Sequence, residues 1–326
     1  MFLINSILAL CVLTTYVYLA GRHLLHVCHW RGTMAQDPRS LIQKAEKTLS
    51  SASGGFRFFG GGKEEKYQEA ADLYIQAANA FRMQQMNVEA GQTFEKAAQV
   101  QRNELKDPDD AANTAVDAFK VYRKDKPEAA VRVIEPAIQQ YCSKGNFRRA
   151  ASHKESQGEV YEVDLGDMPA ALKCYEEAAG WYEGDNAAAL ANKLWLKVAD
   201  ISALSEDYYK AIKIYEKVAN QSVSNNLMRY SVKEYFLKGG ICHLATQDMV
   251  GAERALANYV ELDPTFASTR EHQLLTDLLA AVQSGKQEEF TDKLFAYDQM
   301  SKLDKWKTAL LLKIKNQIQE AEDDFS

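Results

Sequence analysis

A repeat of about twenty residues runs through this chain and constrains its fold more than any other feature. In a clear copy a small residue is followed four positions later by a bulky one and seven positions later by another small one. The copies that begin at 111, 191, 211 and 252 are looser, and those at 151 and 231 are weak. The clearest copies are Ala70/Tyr74/Ala77, Ala90/Phe94/Ala97, Ala130/Ile134/Ala137 and Ala171/Tyr175/Ala178. All copies together begin at positions 70, 90, 111, 130, 151, 171, 191, 211, 231 and 252. The pattern therefore steps forward by 19 to 21 residues each time.

The spacing within one copy indicates an α-helix, because positions i, i+4 and i+7 lie on one helix face. A step of this length fits a helix of about 15 residues and a short turn. Turn-forming residues fall between the copies, as at Lys126-Pro127 and Gly166-Asp167. Two steps make a helix hairpin that cannot bury its apolar face alone, so hairpins must stack. We therefore predict an all-α fold, a right-handed superhelix of stacked helix hairpins of the TPR-like α-solenoid type.

The repeat weakens after residue 270, where the chain still reads as amphipathic helices. These cover His272 to Val282, Glu288 to Tyr297 and about Lys305 to Glu320, and an acidic tail follows as far as Ser326. Helices of this kind often cap a repeat array. We expect three segments: an apolar leader at 1–33, the hairpin array at 34–270, and a C-terminal helical bundle with the acidic tail at 271–326.

The leader does not match the rest of the chain. The segment from Phe2 to Ala20 contains no charged residue, and it is long and apolar enough for a membrane anchor. A signal peptide is a weaker interpretation, because no basic segment precedes the apolar run. A third interpretation, which we favour, is that translation begins at Met34, since a polar segment and then a helical pattern follow it at once.

Composition excludes some classes of function. Hydrophobic residues make up 46% of the chain and charged residues 26%, so it can bury a core. The formal net charge of −6 argues against a nucleic-acid partner, which would favour a basic protein. The five cysteines are scattered without a C-x-x-C pair, so we interpret those in the array as free thiols in a reducing compartment.

No set of residues in the sequence predicts catalysis, a metal site or a cofactor. The chain contains neither G-x-S-x-G nor H-E-x-x-H. Residues 54–63 resemble a phosphate-binding loop, but Glu64 stands where a serine or threonine is needed and no strand precedes it. His23, His26 and His29 are spaced for a shared metal, yet no further ligand completes such a site. We expect a protein that is not an enzyme and that carries no cofactor.

Two groups of residues are candidates for binding. Phe56, Phe58 and Phe59 lie between glycines, so they form either a loop tucked against the first hairpin or an exposed apolar loop for a membrane or partner. Lys154, Lys193 and Lys197 are expected on consecutive helices near the middle of the array. Lys193 and Lys197 share a helix face because they are four residues apart. These lysines form either a solvated face or a surface for an acidic helix bundle.

Several long stretches carry a family resemblance. They are Tyr67 to Tyr74, Ala191 to Val198, Tyr209 to Tyr215, Lys233 to Lys238 and Leu303 to Asp324. Together they resemble the alpha soluble NSF attachment proteins in a fungal-type form, and the likeness covers essentially residues 34–326. The resemblance also favours Met34 as the start, since members of the family begin near that point.

The resemblance implies an adaptor that coats the SNARE four-helix bundle, of the syntaxin type, and recruits the hexameric AAA ATPase NSF to pull the bundle apart. It implies that Phe56, Phe58 and Phe59 contact the membrane and that Lys154, Lys193 and Lys197 face the SNARE bundle. It further implies that the C-terminal residues engage NSF, namely Asp323, Asp324 and Phe325. A leucine is common in the family where this chain has Phe325.

The location implied is the cytosolic face of transport vesicles, Golgi and vacuole membranes, as a peripheral protein of vesicle transport, including ER–Golgi transport, and of membrane fusion. Two other hypotheses remain open from the residues alone. A general helical-repeat scaffold would bind short peptides without affecting any ATPase. An enzyme with an unrecognised site would show activity as a purified protein.

Overall fold

The computed structural model describes residues 37–53 and 62–324, with side chains as far as Ile318. This part of the chain forms fourteen α-helices, two short 3₁₀ turns and one π-helical turn, and it contains no β-strand. No helix within it is both long enough and apolar enough to cross a membrane. The apolar leader at 1–33 lies outside the described residues.

The helices follow one another with short turns, as the repeat predicts. They are α1 Pro38–Ser53, α2 Gly62–Met83, α3 Asn87–Asn103, α4 Pro108–Asp125, α5 Pro127–Ser143, α6 Phe147–Glu159, α7 Met168–Gly184, α8 Ala188–Leu204, α9 Tyr208–Val223, α10 Val232–Ala245, α11 Met249–Leu262, α12 Arg270–Gln283, α13 Gln287–Met300 and α14 Lys305–Asp324. The π-helical turn is Val160–Leu165, and the 3₁₀ turns are Arg229–Ser231 and Pro264–Ser268. The prediction of an all-helical fold of stacked hairpins is confirmed.

The chain divides into two compact units, residues 1–125 and 126–326. In the first unit, each of α1 to α3 packs on the helix that follows it. Its apolar core includes Tyr67, Tyr74, Ala97 and Val100, all of them buried. The division at residues 33 and 270 that the sequence suggests stays a prediction.

The second unit contains two layers of helices, which ion pairs and hydrogen bonds identify. In the first layer, Lys217 of α9 pairs with Glu183 of α7 at 2.9 Å, and Tyr259 of α11 donates to Glu216 of α9 at 2.8 Å. In the second layer, Lys193 of α8 pairs with Glu155 of α6 at 3.1 Å. These three contacts each join two odd-numbered helices or two even-numbered helices, so the helices of one layer lie side by side.

The small residues of the repeat explain how these layers approach each other. Ala171, Ala178, Ala211 and Ala252 are all 0% exposed, as the spacing predicted for the buried face. The small side chains at these positions let neighbouring helices pack closely, and the bulky residue between them in each repeat fills the remaining space. The stripe of bulky residues in the repeat is therefore part of the core.

Aspartates fix where the helices of the first layer begin. Asp167, Asp207 and Asp248 precede α7, α9 and α11, and each accepts a hydrogen bond from a backbone amide in the first turn. Such capping satisfies amide groups that have no partner inside the helix and stabilises it by about 1 kcal/mol. The caps recur at the spacing of two helices, so the helices of this layer begin in the same way.

The last helix, α14, folds back onto α8 and α10. The indole Nε1 of Trp306 donates to the backbone carbonyl of Asp200 at 3.0 Å. Leu310, Leu311 and Ile314 are buried in the core of the second unit. Helix α14 therefore covers apolar surface that the end of the hairpin array leaves open.

Candidate functional site: lysines of the second helix layer

Helix α8 carries two lysines on one face, as the sequence predicted. The Lys193 side chain is 68% exposed, and its Nζ lies 3.1 Å from Glu155 Oε1 of α6. The Lys197 side chain is 35% exposed, and its Nζ lies 2.6 Å from Glu162 Oε2 in the π-helical turn. Each lysine is therefore held by an acid from the neighbouring helix of the same layer.

Lys197 belongs to a three-residue arrangement. Its ammonium group donates to the Tyr175 hydroxyl at 2.9 Å and lies 4.2 Å from the centre of that ring. The Tyr175 hydroxyl in turn donates to Glu162 at 2.6 Å. Burial by itself would raise the pKa of Glu162, but the hydrogen bonds from Lys197 and Tyr175 outweigh it and lower that pKa. The Lys197 ammonium group is thus held between a carboxylate and an aromatic ring.

The same arrangement recurs one hairpin later, and sequence reasoning missed it. Lys238 of α10 donates to Asp200 of α8 at 2.7 Å. The hydroxyl of Tyr215, on α9, donates to the same carboxylate. Lys238 also lies over the ring of Trp306, 4.8 Å from its centre. Shifting Tyr175 and Lys197 by the repeat length of two helices leads to these residues, so the repeat itself was the available signal.

Lys154 corrects two sequence-based expectations. It lies on α6, and α7 separates α6 from α8, so the three lysines occupy alternate rather than consecutive helices. Lys154 is also buried, with a side chain only 9% exposed. Its Nζ lies 3.2 Å from Glu135 of α5 and 3.0 Å from Glu177 of α7. Lys154 is an internal link among three helices and does not form part of an open cationic face.

The environment of Lys154 keeps it charged despite its burial. Burial would lower the pKa of its ammonium group, but the hydrogen bond that it donates to Glu177 and the charge of Glu135 outweigh that effect and raise it. Burial likewise opposes ionisation of Glu135, yet Lys154 and the amide of Gln157 hold the pKa of this carboxyl below its ordinary value. A cavity of about 740 Å³ borders the cluster.

The other two predicted binding sites lie at or beyond the limits of the described residues. Phe56, Phe58 and Phe59 fall in the interval between α1 and α2 that is not described. Asp323 and Asp324 are the last residues of α14, and their side chains are not described. Phe325 follows them, outside the described residues. These assignments stay predictions.

Little in the described part of the chain suggests catalytic or metal chemistry. It contains no group of three or more histidine, cysteine or acidic side chains arranged to hold a metal ion. His243 lies 3.1 Å from Glu216, and His153 stacks on Tyr141. His272 packs edge-on against Phe266. The three histidines thus have separate partners within the helix packing.

Comparison with known proteins identifies a family. A family model described as "Soluble NSF attachment protein, SNAP" matches residues 36–319. The chain is 62% identical over 293 residues to the probable vesicular-fusion protein sec17 homolog of Neurospora crassa, covering 90% of this chain and 100% of that protein. It is 41% identical to the alpha-soluble NSF attachment protein of Saccharomyces cerevisiae, covering 89% of this chain and 99% of that protein.

Solved structures are more distant from this chain. One is a signal-transduction ATPase with a tetratricopeptide repeat sensor from Pyrococcus horikoshii. The TM-score is 0.41 at 16% identity, and the match covers 86% of this chain and 44% of that chain. So low a TM-score adds nothing to the account of the fold.

Proposed function

Because this chain belongs to the soluble NSF attachment protein family, we propose that it is an adaptor that binds assembled SNARE complexes and recruits and stimulates the NSF ATPase. The family match over residues 36–319 carries this proposal. The relatives that support it are named for vesicular fusion and for NSF attachment. In this proposal, ATP hydrolysis belongs to NSF, and the adaptor contributes binding surfaces only.

The second layer of helices offers the surface for the SNARE bundle. Lys193 is the most open of its lysines, and Lys197 and Lys238 stand on the same layer. Each is already held by a carboxylate, so an acidic helix bundle would exchange one anionic partner for another. Exchanges of this kind gain roughly 0–1 kcal/mol each, which makes each contact weak and reversible. Several adaptor copies or membrane tethering must therefore add to the affinity.

Lys154 contributes to SNARE binding indirectly. Its two ion pairs connect α5, α6 and α7 from inside, so it keeps the helices that carry the exposed lysines in position. This role replaces the direct contact that the family resemblance implied for Lys154. A partner would meet the Lys193 and Lys197 side chains on α8 instead.

The apolar loop with Phe56, Phe58 and Phe59 provides the membrane contact in this proposal. Three buried rings would contribute a few kcal/mol at about 25 cal/mol per Å², which gives a reversible anchor. The adaptor then works as a peripheral protein on the cytosolic face of transport vesicles, Golgi and vacuole membranes. The loop would also concentrate the lysine surface near membrane-bound SNARE complexes.

The C-terminal end provides the contact with NSF. Helix α14 is anchored at its start by Trp306 and by the ion pairs of Lys307 with Glu234 and Asp304, at 2.5 and 2.7 Å. Its far end carries Asp323 and Asp324, which precede Phe325. A fixed helix presents such a tail at a constant place on the second unit. The phenylalanine ring keeps the apolar character of the leucine that is common in this family.

A binding experiment tests the SNARE surface. A labelled, assembled SNARE bundle is titrated with the wild-type chain, with Lys193→Glu and with the double variant Lys193→Ala/Lys197→Ala. A matched control carries Lys44→Glu and Lys47→Glu on α1, where both lysines are exposed. The proposal predicts weaker binding for both α8 variants and none of this loss for the control. Equal binding by all four proteins would rule out this surface, and no binding by the wild type would leave only a general scaffold.

A further inference from the structure

A row of exposed cations lies on the first helix layer of the second unit, apart from the lysines described above. It consists of Lys173 on α7, Lys213 on α9 and Arg254 on α11, and we call it the basic row. Each stands two positions after the first buried alanine of its repeat. Two positions correspond to about 200° around a helix, so each cation points away from the buried face of its helix.

The basic row differs from the second layer in having no ion pairs. Lys193, Lys197 and Lys238 each pair with a carboxylate, as described above. By contrast, no ion pair or side-chain hydrogen bond holds the members of the basic row within the described residues. Their charges are therefore open to a partner.

The carboxylates nearest along the helix are engaged elsewhere. Glu176, three residues after Lys173, pairs with Lys210 of α9. Glu216, three residues after Lys213, accepts a hydrogen bond from Tyr259 and contacts His243. An i, i+3 pair within each helix would have been the simplest way to neutralise these lysines. The structure uses those acids to join helices together and leaves the cations unmatched.

An apolar row runs beside the basic row, about one helical turn toward the starts of the same helices. Its members are Met168 of α7, Tyr209 of α9 and Val250 of α11, which are 41%, 73% and 57% exposed. Tyr209 and Val250 stand four residues before Lys213 and Arg254, whereas Met168, the first residue of α7, stands five residues before Lys173. Large apolar side chains are usually buried, so a repeated exposed row next to unpaired charges is typical of a binding surface.

The spacing of the two rows fits a helix. Packed helices lie about 8–10 Å apart, and an α-helix advances about 10.5 Å over seven residues. A helix laid across α7, α9 and α11 would meet one cation and one apolar side chain per heptad. We propose that the basic row and the apolar row together bind an acidic amphipathic helix of a partner protein, which carries one carboxylate and one neighbouring apolar residue in each heptad.

A protein helix fits these observations better than an anionic membrane. Clusters that bind anionic lipid usually hold about 4–8 basic residues, whereas the basic row holds three. The capping carboxylates of Asp167, Asp207 and Asp248 also lie at the ends of the helices that carry the apolar row. A broad anionic surface would have to cover those acids, whereas a narrow helix can place its carboxylates over the basic row alone. The proposed site is on the other layer from Lys193, so it is independent of the proposed SNARE surface.

A synthetic helix tests the proposal directly. The probe is a fluorescent peptide of roughly four heptads, about 40 Å long, with glutamate and leucine at neighbouring fixed positions of each heptad. Its binding to the full-length chain is measured by anisotropy, beside a peptide in which lysine replaces every glutamate. Two protein variants are compared: Lys173→Glu/Lys213→Glu/Arg254→Glu, and the matched control Lys44→Glu/Lys47→Glu/Arg82→Glu, which alters exposed cations of the first unit. Circular dichroism checks that both variants are folded.

We expect the wild type and the control to bind the acidic peptide alike, and the basic-row variant to bind roughly tenfold more weakly, because three small exposed contributions add. The lysine peptide should not bind. The proposal is overturned if the wild type does not bind, if the basic-row variant binds as well as the wild type, or if both variants lose binding equally. It is also overturned if only phosphatidylserine vesicles, and not the peptide, depend on the basic row, since a lipid would then be the occupant.

Discussion

Replacing Lys154 by methionine tests whether this lysine holds α5, α6 and α7 together. Methionine fills similar space but has no charge, so Glu135 and Glu177 lose their shared cation at 3.2 and 3.0 Å. We expect the free energy of unfolding to fall while the helix content of the folded protein stays the same. A variant that only removed a surface charge would change stability by less than about 0.5 kcal/mol.

The magnitude follows from the exposure of the two acids. A hydrogen bond to a charged group contributes about 1.5–3 kcal/mol when it is buried. The side chains of Glu135 and Glu177 are 39% and 35% exposed, so solvent screening reduces each contact to about 0.5–1 kcal/mol. Lys154→Met should therefore lower the free energy of unfolding by about 1–2 kcal/mol. The triple variant with Glu135→Gln and Glu177→Gln should recover part of this loss, because no unpaired carboxylate then remains.

The effect has a defined pH dependence. Lys154 and Gln157 lower the pKa of Glu135 below its ordinary value of 4.5. A lowered pKa in the folded state adds stability above the unfolded-state pKa, and this is lost as the pH falls through the folded-state value. The difference between wild type and Lys154→Met should be fully present at neutral pH and should shrink below about pH 4.5.

Urea unfolding followed by circular dichroism at pH 7 and at pH 4 measures both effects. The same proteins are also titrated against the assembled SNARE bundle. The reasoning is refuted if Lys154→Met unfolds at the wild-type urea concentration, or if its deficit does not change with pH. If the triple variant recovers stability but not SNARE binding, Lys154 contacts the partner directly, and the purely indirect role proposed for it in SNARE binding is wrong.

Three further predictions concern other parts of the second unit. In Gly158→Ala, the new Cβ would lie 2.8 Å from the Tyr175 ring. The free energy of unfolding should fall by about 1–3 kcal/mol, and an unchanged urea midpoint would contradict the close packing. Trp306→Phe removes the 3.0 Å hydrogen bond to Asp200 and should cost about 1 kcal/mol. It should also lower the stimulation of NSF, which an ATPase assay measures, and full stimulation would show that the anchor of α14 is unimportant. Burial raises the pKa of the Cys174 thiol to about 11, so iodoacetamide near pH 8 should modify it about 100-fold more slowly than a peptide thiol. Rapid labelling of Cys174 in the folded protein, with the modified residue identified by mass spectrometry, would argue against this burial.

The repeat predicts most of the fold because its physical cause is local. Small and bulky residues at i, i+4 and i+7 define one face of one helix, and Ala171, Tyr175 and Ala178 are indeed all 0% exposed. The Asp and Pro residues between copies mark where helices begin. These signals act within one helix and its turn, so a single sequence contains them. The later helices without the repeat were also recognisable from their amphipathic patterns.

The lysine surface was harder to predict because its contacts join distant parts of the chain. Nothing next to Lys154 in sequence indicates that Glu135 and Glu177 meet it from two other helices. A lysine is rarely buried unless it is paired, so exposure was the natural expectation, and it was wrong. The π-helical turn that brings Glu162 to Lys197 has no turn-forming signal of its own before Gly166. Its role became visible only from the three-dimensional arrangement.

The most direct test of the adaptor function is ATP-driven disassembly of a SNARE complex reconstituted in membranes. The rate is measured with NSF and ATP, with and without this chain, and with the variants Phe56→Ser/Phe58→Ser and Phe325→Ala. The account predicts that disassembly requires the wild-type chain and that both variants slow it, because one weakens membrane tethering and the other weakens contact with NSF. If the wild-type chain neither binds the complex nor accelerates disassembly, the adaptor function is contradicted.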